Sequence, residues 1–231
     1  MKKLALIIAS LAFCAGAFAN QVVELGKIND VFEYNWHKAA DLARNKPQSA
    51  TKIKDGNTTL YVVVLQASPS DIAATKEIGK LELKENKYSL LVCKTTPKAE
   101  NYTAKDSPKY ALFEKAIAQN CQNIGQTYSV KLLGKNGENY IVDFEYLYKG
   151  LGFVVEDNLF SENTATVEYF TIHANFKAQF AKDSIIFIFR ECDIINKTPF
   201  WSDIPLIGRL FSERGTQLSP VEILSVKIAD K

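Results

Sequence analysis

Histidine is scarce in this chain of 231 residues, which has only His37 and His173. Two imidazoles this far apart in the sequence do not favour a histidine-based metal site or acid–base site. The sequence also presents no nucleophile–base pair and no cluster of metal-ligand residues, so no catalytic residue, metal or cofactor is predicted. The protein is therefore not expected to be an enzyme, although a secreted enzyme stays open as a third alternative.

Basic runs are absent as well. The chain has 28 Lys and Arg against 26 Asp and Glu, a formal net charge of +2. Two of these lysines, Lys2 and Lys3, lie in the first nineteen residues, which carry no acid, so the remainder is neutral. A neutral chain without a basic block lacks the electrostatic footprint of a nucleic-acid-binding protein, and no nucleic-acid partner is predicted.

Long apolar runs are limited to the start of the chain. Lys2 and Lys3 precede an apolar stretch over residues 4–13, and small residues follow as far as Ala19. This is the layout of a bacterial signal peptide over residues 1–19, with cleavage before Asn20. The stretch is too short for a permanent transmembrane helix. We therefore expect an exported protein of the periplasm or outer membrane, whose insertion into a bilayer would require β-strands.

Cysteines are few, and the sequence allows two interpretations of the role of each. Cys14 follows Leu11, Ala12 and Phe13, which loosely resembles a lipoprotein processing site, but the bulky Phe13 favours simple cleavage after Ala19. Among the remaining cysteines, Cys93 and Cys121 are the first choice for a disulfide in an oxidising compartment, with Cys192 left over. The alternative is that all three are small buried apolar residues.

The distribution of patterns predicts an α+β fold, with a boundary near Gly125. Residues 20–125 read as a mixed α/β region, with helices over 29–45 and 109–121 and a short helix over 68–78. A central strand is expected over 58–67 and a hairpin over 81–93. Residues 126–231 read as mostly antiparallel β, with strands expected at 128–133, 140–148, 153–155, 164–176, 184–190 and 221–228.

Two acids on one strand raise the possibility of paired carboxylates. Asp143 and Glu145 alternate with Val142, Phe144 and Tyr146. Such alternation is typical of a half-buried strand with its polar residues in solvent. We interpret both acids as a solvated face. His173, between Ile172 and Ala174, is interpreted as an ordinary surface or core histidine.

An unusual apolar segment lies near the carboxyl end. Residues 203–211 read DIPLIGRLF, in which Pro205 cannot donate to a β-ladder and Gly208 permits a bend. An irregular apolar lip that packs against strands or another subunit is predicted. Its members are Asp203, Ile204, Pro205, Leu206, Ile207, Gly208, Leu210 and Phe211. A last strand follows, with Glu222, Leu224, Val226 and Ile228 as the residues of interest.

This order resembles the C-terminal part of the bacterial secretins, the outer-membrane ring proteins of type II and type III secretion, type IV pili and filamentous phage export. Their pattern has an apolar strand after an Asp, an Asp-Ile-Pro-Leu-Leu-Gly-x-Leu-Phe segment and a final strand beginning with Glu. Residues 183–189, 203–211 and 222–228 stand at these three places. Ser184 replaces the family's glycine, and Ala229-Asp230 replaces its closing Thr-Pro.

The resemblance implies a β-rich region, 126–231, like the secretin C-terminal barrel and lip. It also implies a component of a secretion, pilus or phage export apparatus that acts by oligomeric assembly in the outer membrane. Expected partners are further copies of the chain or a full-length secretin, together with other secretion or pilus components. The alternative is a soluble periplasmic accessory or binding module that docks to such an assembly through an exposed apolar surface.

Overall fold

A computed structural model describes residues 21–28, 36–46, 50–84, 87–120, 123–156, 163–197 and 212–230. The strands are β1 Gln21–Ile28, β2 Ala50–Asp55, β3 Thr58–Gln66, β4 Thr75–Leu83, β5 Ser89–Thr95, β6 Ile124–Asn136, β7 Asn139–Glu156, β8 Thr164–Phe180, β9 Asp183–Lys197 and β10 Ser212–Asp230. The helices in these ranges are α1 His37–Asn45, α2 Pro69–Ala73, the 3₁₀ turn Ala99–Asn101 and α3 Tyr110–Asn120.

The strands form two antiparallel sheets. One sheet has six strands in the order β2-β3-β9-β10-β1-β4, and the other has four in the order β5-β6-β7-β8. The predicted α+β class, with a dominant antiparallel β component, is confirmed. The six-stranded sheet contains β1 to β4, which precede residue 125, and β9 and β10, which follow it. Strands from both sides of the predicted boundary therefore belong to one hydrogen-bonded sheet.

The main core lies between the two sheets. Leu60 and Val62 of β3 meet Phe144 of β7 in a single apolar cluster, and all three are almost fully buried. Val63 faces the opposite side of β3 and is fully buried beneath α1. The predicted central strand over 58–67 is therefore confirmed: β3 is apolar on both faces and lies between β2 and β9.

Helix α1 covers the outer side of the six-stranded sheet. Its buried face consists of small residues, Ala39, Ala40 and Ala43, which allow close approach to Phe187 and Phe189 of β9. The predicted helix over 29–45 is confirmed for His37–Asn45, and its first residues lie outside the described ranges. A helix with so little side chain to bury is stabilised mainly by the large residues of the sheet beneath it.

Helix α2 is much shorter than predicted. A capping box starts it: the Ser68 hydroxyl accepts from the Asp71 amide at 3.2 Å, and the Asp71 carboxylate accepts from the Ser68 amide at 2.7 Å. The helix ends at Ala73 because β4 begins at Thr75, where Thr75 pairs with Ile28 of β1. Pairing with β1 thus overrides the local helical pattern.

The hairpin predicted over 81–93 is wrong. β4 pairs with β1 in the six-stranded sheet, whereas β5 pairs with β6 in the four-stranded sheet. The connection between them passes from one sheet to the other. Both strands have the alternation of a hairpin, and the sequence pattern does not identify which neighbour each one takes.

The predicted amphipathic helix over 109–121 is confirmed as α3. It packs on the β7–β8 hairpin, where the Phe113 ring stacks on Phe153 with centroids 4.0 Å apart. Tyr102, just after the 3₁₀ turn, meets the same Phe153 ring edge-on at 5.1 Å. Aromatic contacts of this kind add to the burial of apolar area and hold the helix against the hairpin.

Two strand pairs extend beyond their sheets. Residues 150–156 of β7 pair with 164–170 of β8, past the point where β6 ends its pairing at Lys149. The strands predicted separately over 140–148 and 153–155 are one continuous strand, β7, and Gly150 within it leaves the space that the Phe170 ring occupies. Residues 191–197 of β9 pair likewise with 212–218 of β10, beyond the pairing with β3 and β1. We call this second pair the β9–β10 arm.

Replacing Gly125 with alanine should strongly destabilise the protein. Gly125 has a φ of +145°, and an added Cβ would clash with the backbone carbonyl of Cys93 in β5. Backbone strain and displacement of β5 together should lower the free energy of unfolding by about 3 kcal/mol or more. Urea denaturation followed by circular dichroism measures the change. Gly152→Ala is the control, since a Cβ added there would lie 3.9 Å from the Glu168 carbonyl oxygen, an ordinary van der Waals contact. Equal losses of stability in both variants would show that the close approach of Gly125 to the Cys93 carbonyl does not require a glycine.

Candidate assembly site

The final strand, β10, passes through the centre of the six-stranded sheet. Leu224, Val226 and Ile228 belong to the core between the sheets, and each is at most 1% exposed. Ile223 faces the other side and packs in the cluster under α1. The residues of interest on the predicted last strand, Glu222, Leu224, Val226 and Ile228, are thus all buried within the single chain.

A β-bulge changes the face on which the residues of β10 lie. Leu218 packs on the α1 side, whereas Leu224 packs between the sheets, although both have even positions. The register with β9 shifts between Pro220 and Glu222, because Pro220 is opposite Phe189 and Glu222 is opposite Ile188. An extra residue in a strand reverses the alternation that follows. The bulge therefore directs Glu222 into the space between the sheets.

The Glu222 carboxylate is 2% exposed and contacts both sheets. The Lys27 ammonium of the adjacent β1 lies 3.1 Å from its Oε1. From the four-stranded sheet, the Gln126 amide and the Tyr146 hydroxyl each donate to Oε2 at 3.2 Å. A buried carboxylate is tolerated where a cation and hydrogen-bond donors surround it. Here those donors connect the two sheets.

Two tyrosines beside this carboxylate differ in their hydrogen bonding. Burial, reinforced by the Glu222 charge, raises the pKa of Tyr128 and of Tyr146 far above the usual value, so both hydroxyls stay protonated. Tyr146 donates to Glu222, whereas the Tyr128 hydroxyl is buried with no hydrogen-bond partner among the described residues. Their rings are neighbours on paired strands, with centroids 5.6 Å apart.

The β9–β10 arm locates the predicted lip in the chain. Seven residue pairs, from Glu191↔Leu218 to Lys197↔Ser212, extend it beyond the sheet, a length of about 20 Å at ~3.3 Å per residue. Residues 198–211 connect its two strands. All predicted lip residues fall in this connection and lie outside the described ranges: Asp203, Ile204, Pro205, Leu206, Ile207, Gly208, Leu210 and Phe211.

The acidic pair on β7 is only partly as predicted. Val142, Phe144 and Tyr146 face inward, and Glu145 lies on the opposite face, 2.9 Å from the ring of His173. Asp143 is not solvated, however: it is 7% exposed and accepts a hydrogen bond of 2.6 Å from the Tyr88 hydroxyl. Tyr88 comes from the segment that leads into β5, a neighbour that the sequence pattern of β7 does not reveal.

The predicted Cys93–Cys121 disulfide stays a prediction. Cys93 is half-buried on β5, and burial raises the pKa of its thiol. Cys121 lies outside the described residues. Cys192 is half-buried on the β9–β10 arm, and no disulfide joins it to Cys93. Among the helices described here, none has the length and apolar character to cross a membrane.

Comparison with known proteins gives matches among solved structures alone. No family model and no curated protein matches the chain. The Vibrio cholerae type IV competence pilus secretin PilQ matches with 11% identity and a TM-score of 0.31, over 92% of this chain and 58% of that one. The type II secretion system secretin GspD of Escherichia coli K12 matches with 14% identity and a TM-score of 0.31, over 99% and 53%.

A third match is the InvG secretin domain β-barrel from the Salmonella SPI-1 injectisome, with 13% identity and a TM-score of 0.31, over 92% of this chain and 60% of that one. The chain thus spans between half and three fifths of these solved chains. All three are secretins, the family that the C-terminal motifs resemble, and the chain is similar to them.

Removing the Tyr146 hydroxyl should destabilise the protein, whereas removing the Tyr128 hydroxyl should not. Tyr146→Phe deletes a buried hydrogen bond to a carboxylate, so the free energy of unfolding should fall by about 1.5–3 kcal/mol. Tyr128→Phe, the matched control on the paired strand, deletes a hydroxyl without a described partner and should be neutral or stabilising. Chemical denaturation of both variants measures the difference. Equal losses would mean that the Glu222 hydrogen bond does not hold the sheets together.

Proposed function

We propose that this protein is a secretin-like component of a bacterial secretion, pilus or phage export apparatus that works by assembling with further copies of itself in the outer membrane. In this role each copy contributes strands and its apolar lip segment, residues 203–211, to the assembly. The predicted export signal over residues 1–19 supports a location in the periplasm or outer membrane. No catalytic step is part of this role.

The observation that carries the proposal is the position of the lip on the β9–β10 arm. The secretin-like segment 203–211 joins two strands of 15 and 19 residues that pair with each other along the whole arm. The two flanking motif strands are neighbours as well, with Val226 opposite Ser184 and Leu224 opposite Ile186. The apolar segment thus connects two strands that pair beyond the sheet, and in this proposal it contacts a neighbouring molecule.

A long sheet edge supports assembly by strand pairing. β8 has 17 residues and, among the described strands, hydrogen-bonds to β7 on one side only. A long edge strand presents unpaired N–H and C=O groups to another chain unless something blocks it. Pairing of such edges around a ring would leave no backbone group unpaired against lipid.

A second candidate function is the soluble periplasmic module that docks to a secretion or pilus assembly. The observation in its favour is the outer face of the four-stranded sheet. Leu90 and Val92 of β5 and Leu147 of β7 are exposed there, and Leu90 is 64% exposed. Val92 and Leu147 stand in one cross-strand row, separated by Thr127. An exposed apolar surface of this kind fits a protein partner.

In outer-membrane fractions, the wild-type chain should appear as a large, detergent-stable oligomer. Leu206→Asp and Phe211→Asp place a charge in the lip, and each should reduce the oligomer by about tenfold or more, because a buried unpaired carboxylate is strongly unfavourable. Membrane fractionation with native-size electrophoresis measures both the location and the assembly.

Leu90→Asp is the matched control, because it puts the same charge on an exposed leucine of β5, outside both the lip segment and the β9–β10 arm. It should leave the oligomer unchanged. Recovery of the wild-type chain solely as a soluble monomer would contradict the assembly role. If Leu90→Asp then also abolished copurification with secretion or pilus proteins, the docking module would be the correct function.

A further inference from the structure

A groove of about 540 Å³ lies on the outer side of the six-stranded sheet, at the base of the β9–β10 arm. The end of α1 forms one wall, and the arm forms the other. Its apolar lining comes from Ala43 of α1, Ala50 of β2 and Leu218 of β10. A concave apolar surface with a few charged groups at its margin is typical of a binding site.

Charges of opposite sign stand on the two sides of this groove. Lys52 lines the side formed by β2, Glu191 lines the side formed by the arm, and Arg44 at the end of α1 is a second cation of the lining. Tyr61 of β3 stands between them: its ring lies 5.2 Å from the Lys52 ammonium, and its hydroxyl lies 3.4 Å from the Glu191 carboxylate. β2 and β9 are both neighbours of β3, so about 10 Å separate the two sides, at ~4.8 Å per strand.

The lip segment has the complementary order of charges. In residues 198–211 the only charged residues are Asp203 and Arg209, and the four residues that follow Asp203 are Ile204, Pro205, Leu206 and Ile207. The segment thus offers an acid, an apolar stretch and a base, and the groove offers two cations, an apolar floor and a carboxylate. Complementary charge on both sides of an apolar contact fixes the direction in which a segment binds.

The chain's own lip segment is a poor fit for the groove beside it. Arg209 lies three residues before Ser212, so its backbone reaches at most about 11 Å from the end of the arm. The groove lining on β10 is formed by Thr216 and Leu218, four and six residues further down the strand, which is about 13–20 Å away. A second copy has no such restraint.

From this match we infer that the groove receives the lip segment 203–211 of a second copy of this chain, with Asp203 beside Lys52 and Arg44 and with Arg209 beside Glu191. The inference rests on the proposed assembly role and specifies the contact that carries it. Each copy donates one lip and accepts another, and such a head-to-tail contact closes into a ring when the rotation between copies permits.

A charge-swap experiment on the full chain tests this pairing. Lys52→Glu and Asp203→Lys should each reduce self-association by about fivefold or more, because each replaces an attraction with a repulsion. The double variant Lys52→Glu/Asp203→Lys should restore it. Lys54→Glu, two residues along β2 and outside the groove lining, is the control and should have no effect. Sedimentation velocity measures the association.

Cross-linking then identifies the occupant. A photo-reactive phenylalanine derivative in place of Leu206 should cross-link to Ala50 or Leu218, and mixtures of ¹⁵N-labelled and unlabelled chains should give mixed-isotope products. Cross-links within a single chain, or no rescue by the double variant, would overturn the inference. Oligomers whose lips cross-link outside the groove would overturn it and leave the assembly role intact. A chain without self-association would contradict both.

Discussion

The buried carboxylate of Glu222 is the constraint on which the relation between the two sheets depends. It lies on the central strand of one sheet and takes hydrogen bonds from Gln126 and Tyr146 of the other, while Lys27 balances its charge. Apolar packing between sheets tolerates small slides, but a buried charge does not tolerate the loss of its partners. This cluster therefore fixes the position of β10 along β6 and β7 of the facing sheet. The bulge at Pro220 makes the cluster possible, because it turns Glu222 toward that sheet.

Two hairpins, β7–β8 and β9–β10, extend beyond the sheets that this cluster holds together. One is covered on its outer face by α3, through the stacking of Phe113 on Phe153. The other is the β9–β10 arm, which carries the lip segment and forms one wall of the charged groove. The same strand, β10, thus anchors the core at one end and extends to the lip at the other. A core that resists sliding gives the arm a defined position, which an assembly contact requires.

Much of the fold was predictable because it depends on local pattern. The two-faced apolar run of β3, the apolar face of α3 and the alternation of β7 each identify an element from its own residues. The predictions that failed concern segments whose structure depends on residues distant in the sequence. α2 ends early because β4 pairs with β1, the expected hairpin is replaced by pairing in two different sheets, and Asp143 is buried by Tyr88.

By itself, the sequence determined which segments become strands and helices and which face of each is apolar, since the period of apolar residues is a property of the chain. It also placed an acid, an apolar stretch and a base in the lip, which is what a charged groove recognises. The tertiary structure alone decided that Glu222 is buried among Lys27, Gln126 and Tyr146, and that Lys52 and Glu191 face each other across a groove. These residues are far apart in the chain, and strand order and register, not spacing, bring them together.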